Sequence, residues 1–255
     1  MSAHRLTPSL RERVWGRTRL APWFPDSDRP IGEAWYLSDR DLPLLVKLLF
    51  TSAKLSLQVH PDDGEGCVRG KTEMWHILDA DPGATIALGF REPITRDRLV
   101  ESAKNGEIER LVDWKPVRPG ETYFTPAHTV HAIGAGIVLC EIQQNCDITY
   151  RLYDYGRPRE LHLDQAAPIA DLGPHPGATP DGIVRSKHFV TEPVALGPGE
   201  EHRPEPRECH LWICLAGHGT IAAHAFVPGD VYLVEDDTAI RAAAPARFLR
   251  TYVPG

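Results

Sequence analysis

The sequence predicts an all-β protein, a sandwich or barrel of short strands with one helical insert. Three observations carry this expectation. The 21 glycines and 23 prolines make up about 17 % of the 255 residues, against roughly 12 % in an average chain, which favours many tight turns. Short apolar segments recur at about ten-residue spacing, the rhythm of strands joined by turns rather than of a helical bundle. Within them apolar and polar residues alternate with a period of two.

Taken in order, residues 1–40 are rich in Arg, Pro and Trp and show few regular periods. Residues 44–60 read LLVKLLFTSAKLSLQVH, in which Leu55, Leu57 and Val59 alternate with Ser56, Gln58 and His60 as a strand would. Pro61-Asp62-Asp63-Gly64 stops that segment. TEMWHIL (72–78) is the next strand candidate, closed by Asp81-Pro82-Gly83. Thr95 to Trp114 is the helical stretch: Leu99, Ala103, Ile108, Leu111 and Val112 follow helical spacing, and Asn105-Gly106 divides it into two helices. Strands return at ETYFTPA (121–127), GIVLCEIQQ (136–144) and ITYRLYD (148–154). The Pro/Gly/Ala-rich stretch 166–181 reads as a linker. Beyond it HFVTEPVAL, HLWICLAGHGTIAA, GDVYLVEDD and RFLRTYVPG predict a second, smaller β-module over 182–255. The first unit is then 1–165, with the helical insert near 95–114.

Composition excludes several function classes. With 28 basic against 35 acidic side chains the net charge is −7, a poor basis for generic nucleic-acid binding. No apolar run approaches the roughly 18 residues of a membrane span. Met1 to Arg19 holds six Arg or His residues and no apolar core, so no secretory signal is expected. Five scattered cysteines, Cys67, Cys140, Cys146, Cys209 and Cys214, read as reduced thiols in a cytoplasm.

Some residues fit poorly as plain core or plain surface. Gln58 and His60 point to one face of their strand. Glu73 is in step with Trp75 and Ile77, and a carboxylate among large apolar side chains is costly to bury unpaired. His131 follows Pro126, where a strand turns into Gly-Ala-Gly. Two imidazoles, a carboxylate and an amide oxygen suit a divalent metal, and two His with one Glu and an open position recur as a catalytic zinc set. The competing reading is scattered polar residues satisfied one by one. Glu141 interrupts IVLCEI and Arg151 interrupts ITYRLY. They are either a structural salt bridge, two solvated positions, or an acid/base and a cation facing the interior. Cys209, His210, Cys214 and His218 match no zinc spacing and read as ordinary strand positions.

Together these segments resemble the type I mannose-6-phosphate isomerase family in its short bacterial form. The resemblance lies in VWG (14–16), GEAWYLSD (32–39), LLVKLLFTSAKLSLQVHPDD (44–63), GKTEMWHIL (70–78) and TPAHTVHAIGAGIVLCEIQQNCDITYRLYDYGRPRELHLDQA (125–166). It implies a cupin barrel (double-stranded β-helix, or jelly roll) as the catalytic domain. It implies Gln58, His60, Glu73 and His131 as ligands of one zinc ion per chain and Arg151 as the active-site arginine. Lys71 and Glu141 match residues lining the site, and Lys47, Glu33 and Trp15 match pocket positions. The implied activity is interconversion of mannose 6-phosphate and fructose 6-phosphate through an enediol. Glu141 is the first candidate for the base. Lys71 is the second, since a neighbouring dication lowers a lysine pKa. A basic patch from Lys47, Lys71, Arg157 or Arg159 is expected for the phosphate, in a monomer or homodimer. The chain departs from the family pattern at His128, where Gly is usual, and at Cys146 and Ala34, where Ser is usual. His128 is therefore either an extra ligand or a stiffer turn. The rivals are a non-catalytic sugar- or metal-binding cupin and an iron-dependent cupin oxygenase.

Overall fold

The structure, a computed structural model, describes residues 3–255. All its paired strands are antiparallel and they form four sheets. One six-stranded sheet runs Thr7–Arg17, Ile31–Leu37, Leu44–Phe50, Ile137–Gln144, Glu73–Ala80, Thr122–Thr125. A five-stranded sheet runs Tyr150–Tyr153, Leu57–Val59, His131–Ile133, Thr85–Phe90, Val112–Pro116 and lies across from it. Trp75, Ile77, Leu139 and Leu49 of the first sheet meet Ile86, Leu88 and Ile133 of the second in one buried cluster. This is a jelly-roll barrel whose strands bring distant sequence segments side by side.

The interior changes character along its length. Cross-strand partners put their side chains on one face. One inner row of the six-stranded sheet is Glu33, Leu49, Leu139 and Ile77. The next is Trp35, Lys47, Glu141, Trp75 and Tyr123, and the last is Leu45, Gln143, Glu73 and Thr125. Facing them, Ile86 and Ile133 pair at one level, and Leu88, His131 and Gln58 at the next. One end of the barrel is thus filled by hydrocarbon and the other by ionisable groups.

The outer faces are covered as well. Leu57, Val59 and Leu152 pack against Leu99, Ala103, Ile108 and Ala166 of the helical segments. Val46, Leu48, Cys140 and Ile142 pack against Leu211, Ile213, Val231, Leu233 and Leu249. These belong to a second six-stranded sheet, Ala3–Arg5, Val231–Val234, Leu211–Ala216, Ala246–Tyr252, Val190–Leu196, Val184–Arg185. A four-stranded sheet (Glu201–His202, Ile240–Ala242, Gly219–Ile221, His224–Phe226) closes over its far side, where Trp212, Phe226 and Phe248 are buried. Leu44–Phe50 is buried at every position, so its sequence is a continuous apolar run broken only by Lys47.

The helical insert is shorter than expected. Thr95 caps Arg96–Asn105 by accepting from the Arg98 amide, and Gly106 ends it at φ 83°. Ile108–Leu111 is a single turn. Val112 to Trp114, expected as the end of the helical stretch, instead open the strand Val112–Pro116, because Ala87 pairs with Trp114 and Phe90 with Val112. Residues 166–181, expected as a linker, are tied to the first barrel. Helix Leu163–Ile169 buries Ala166 and Ala167, and Gly89 bridges to Pro174 and Tyr123 to Ala178. Among the described residues no helix is long and apolar enough to cross a membrane.

Candidate metal and active site

The polar end of the barrel gathers His60, Glu73 and His131, whose ligand atoms all lie within 4.8 Å of one another. All three are 1 % exposed. Each comes from a different segment: His60 just past Leu57–Val59, Glu73 at the start of Glu73–Ala80, His131 at the start of His131–Ile133. The alternation seen around Gln58 and His60 has its explanation here. The apolar face of that strand turns outward to the helices, and its polar face turns into the barrel.

Both imidazoles are oriented from behind. His60 Nδ1–H donates to the Ile148 carbonyl (2.9 Å) and His131 Nδ1–H to the Thr129 carbonyl (2.8 Å). Each Nε2 therefore carries its lone pair inward, the tautomer a metal ligand requires. Burial pushes His131 down to about 4 and His60 well below the usual histidine range, so both are neutral near pH 7. Glu73 lies 3.6 Å from His60 Nε2 and 3.5 Å from His131 Nε2. Its nearest cation is Lys71 Nζ at 3.1 Å, yet neither carboxylate oxygen has a hydrogen bond. Burial raises Glu73 to about 7 against the pull of Lys71. Two inward lone pairs beside a buried carboxylate, with Lys71 as its nearest cation at 3.1 Å, form a donor set that fits a divalent cation. Gln58 joins the group through its Nε2, which donates to His131 Nε2 (3.2 Å), while its Oε1 accepts from Ser56 (3.2 Å). Ligation by Gln58 requires the amide to turn over.

A second group of charges flanks the first. Lys71 Nζ also donates to His60 Nε2 (3.0 Å). Burial opposes its charge, but Glu73, Glu141 and Glu33 outweigh burial and hold the ammonium above the usual lysine range. The lowering expected of Lys71 comes from a bound dication; the protein groups by themselves act in the opposite direction. Glu141, 4 % exposed, accepts from Lys47 Nζ (3.0 Å). Burial works against its ionisation, and Lys47 and Lys71 outweigh that and hold its carboxyl below the usual range. Lys47 also donates to Gln143 Oε1 (2.5 Å) and lies 4.2 Å from the Trp35 ring centroid.

Arg151 pairs across the sheet with Gln58, so both side chains leave the sheet on its inner face. Its Nη1 donates to the Glu160 carbonyl (2.9 Å), and its Nε is buried without a partner. Burial and the nearby Arg159 lower its pKa. Glu33 is on the inner face and ion-pairs with Arg13 (2.6 Å). Trp15 is buried in the apolar cluster with Leu49 and Trp75. The expected basic patch is not open: Lys47 and Lys71 are paired inside, and Arg157 and Arg159 both bind Asp154 (2.5 and 2.6 Å).

Sequence reasoning passed over Gln143, fully buried between Lys47 and the Cys146 carbonyl (2.6 Å). It is in step with Glu141 and pairs with Glu73, so the same period-two argument that singled out Glu141 could have found it. Trp75 packs edge-on to His131 at 5.4 Å. His128 is not part of the cluster. It adopts φ 75° and bonds Glu65 (2.6 Å) outside the barrel, a left-handed position that favours glycine.

No family model matches the chain. It is 33 % identical over 211 residues to a mannose-6-phosphate isomerase of Bacillus subtilis, covering 65 % of this chain and 67 % of that one. It is 40 % identical over 149 residues to the mannose-6-phosphate isomerase of Streptococcus mutans, covering 54 % of this chain and 46 % of that one. A crystal structure of the mannose 6-phosphate isomerase from Bacillus subtilis superposes with a TM-score of 0.85 at 25 % identity, covering 99 % of this chain and all of the other.

Proposed function

The chain belongs to the mannose-6-phosphate isomerase family, and from that premise we propose that it interconverts mannose 6-phosphate and fructose 6-phosphate with one zinc ion held by His60, Glu73, His131 and Gln58. The observation that carries this reading is the buried His60–Glu73–His131 cluster with both Nε2 atoms free of protons and the carboxylate lacking a hydrogen bond. When bound, the cation supplies Lewis acidity that stabilises negative charge on a substrate oxygen.

The chain's own groups divide the remaining work. The difficult step removes a C–H proton next to a carbonyl and returns it to the neighbouring carbon through an enediol. Glu141, kept ionised by Lys47 and Lys71, is the group that accepts and returns that proton. Lys71, kept protonated by its carboxylate neighbours, is a hydrogen-bond donor toward substrate oxygen rather than a base. Arg151 adds a charge that does not titrate away, with its unpaired Nε as a further donor. Arg151, Arg157 and Arg159 crowd around one carboxylate, Asp154, an excess of positive charge suited to the phosphate. The apolar end of the barrel keeps bulk water from beneath the reacting carbons. Five unpaired cysteines support a cytoplasmic setting.

The test is a coupled assay in which fructose 6-phosphate formed from mannose 6-phosphate is consumed by an indicator enzyme. Zinc-loaded protein should turn over, and Glu141→Gln should lose at least about a hundredfold in kcat. Absence of turnover in the loaded protein overturns the activity, and near-normal Glu141→Gln turnover overturns the base assignment.

A further inference from the structure

Lys47 sits directly across the sheet from Glu141 and diagonal to Gln143, which follows Glu141 by two residues on the same inner face. An ammonium has three protons to place. Around Lys47 Nζ there are three partners: Glu141 Oε1 at 3.0 Å, Gln143 Oε1 at 2.5 Å, and the face of Trp35, whose ring centroid is 4.2 Å away. Lys47 is 3 % exposed and Gln143 0 %, so bulk water does not stand in for either oxygen.

The Gln143 amide can point only one way. Its Nε2 donates to the Gln144 carbonyl at 2.8 Å and to the Cys146 carbonyl at 2.6 Å. Turned over, it would set its oxygen against two carbonyl oxygens and its NH2 against an ammonium. Those carbonyls belong to the turn between Ile137–Gln144 and Tyr150–Tyr153. That turn is itself pinned to the residues preceding the Lys47 strand. The Asn145 amide nitrogen donates to the Pro43 carbonyl and Asn145 Nδ2 to the Leu42 carbonyl, both at 2.8 Å. Gln143 also lies directly across from Glu73, so a neutral acceptor at this place holds the ammonium without adding a third carboxylate beside Glu73 and Glu141. The amide thus ties the end of a long, flexible side chain to fixed backbone.

We propose that Gln143 is a positioning residue for the isomerisation: by gripping the Lys47 ammonium it fixes the Glu141 carboxylate where that group exchanges a proton with the substrate. The inference rests on Glu141 as the base. Without Gln143 the ammonium keeps a single oxygen partner, and the carboxylate that depends on it loses its fixed placement.

The test compares zinc-loaded wild type, Gln143→Met and Gln143→Asn in the mannose 6-phosphate assay, with bound zinc measured on the same samples. Met keeps the length and removes the acceptor, whereas Asn keeps the amide and draws it back by one carbon. Both should lose at least about tenfold in kcat, since misplacing a reacting group by about 1 Å costs up to about a hundredfold. KM should stay within about threefold and bound zinc at the wild-type level. A merely structural glutamine gives another pattern. The turn it braces carries the Ile148 carbonyl that orients His60, so loosening that turn lowers bound zinc in step with turnover. Zinc lost in parallel, a rise in KM that accounts for the whole effect, or either variant turning over within about twofold of wild type overturns the proposal. If Gln143→Met does not fold, Gln143→Asn decides by the same readings. Wild-type protein without turnover overturns the isomerase reading and this inference with it, whereas an active wild type with indifferent variants overturns this inference alone.

Discussion

Replacing Lys47 by Met tests how dry the ionisable end of the barrel is. The side chains of Lys47 and Glu141 are 3 % and 5 % exposed and 3.0 Å apart. Met keeps most of the side-chain length and removes the charge, leaving Glu141 buried without its nearest cation. Removing one partner of a buried pair costs about 3–5 kcal/mol, most of it the penalty of the orphaned charge. Lys47→Met should therefore lower the urea-unfolding free energy by about 3 kcal/mol or more at pH 7. Adding Glu141→Gln removes the orphaned charge, so the double variant should recover about 2 kcal/mol of that loss. The contact with the Trp35 ring is lost in both backgrounds and cancels in the cycle. The penalty should also shrink toward pH 5, where Glu141 freed from Lys47 can protonate. A single-variant cost under about 1 kcal/mol, or a coupling near zero, would mean that water reaches the pair and would refute the reasoning.

Three further outcomes follow from the same geometry. Arg151→Ala should cut kcat by about 10²–10³ while bound metal stays at wild-type level, and parallel loss of metal would show that the arginine only holds the site together. Metal-stripped protein should weaken as pH falls from 6.5 toward 4. The unfolded chain takes up protons near 6.5 that folded His131 refuses until about 4, about 3 kcal/mol, and that folded His60 refuses as well. Glu73, raised to about 7, takes one up on folding and offsets about one imidazole. Urea midpoints that stay level between pH 7 and 5 would contradict this. His128→Gly should leave metal content unchanged and stability within about 1 kcal/mol. It relieves a left-handed backbone at the cost of a half-exposed pair with Glu65, and lost zinc would restore His128 as a ligand.

The strands that frame the site were readable because each carries a contrast between its two faces. Leu57 and Val59 against Gln58 and His60, or Leu139 against Glu141, mark two environments by a period of two. What that pattern cannot tell is which environment is inside. At Gln58 and His60 the polar face is the interior, because helices cover the apolar one. Thr7–Arg17 and Ile31–Leu37 escaped notice for opposite reasons. The first is half exposed and bulged against its partner, and the second is buried on both faces except at Leu37, so neither alternates. Val112 to Trp114 read as helix because the short turn before them continues the helical spacing, and only pairing with Thr85–Phe90 overrides it. Pairing of cations was invisible for a similar reason. Asp154 meets Arg157 and Arg159 through a local turn that charge counting does not reveal. The metal cluster was legible as a donor set, since rare buried polar residues stand out, but its convergence depends on register between strands far apart in sequence.

Anomalous diffraction at the zinc edge from crystals grown with zinc tests the central claim most directly. The account predicts one strong peak per chain, within bonding reach of His60 Nε2, His131 Nε2 and the Glu73 carboxylate, with the Gln58 amide oxygen turned toward it. A peak held instead by Asp62, Asp63 and His188, the other cluster of suitable donors among the described residues, with none in the barrel, would contradict it.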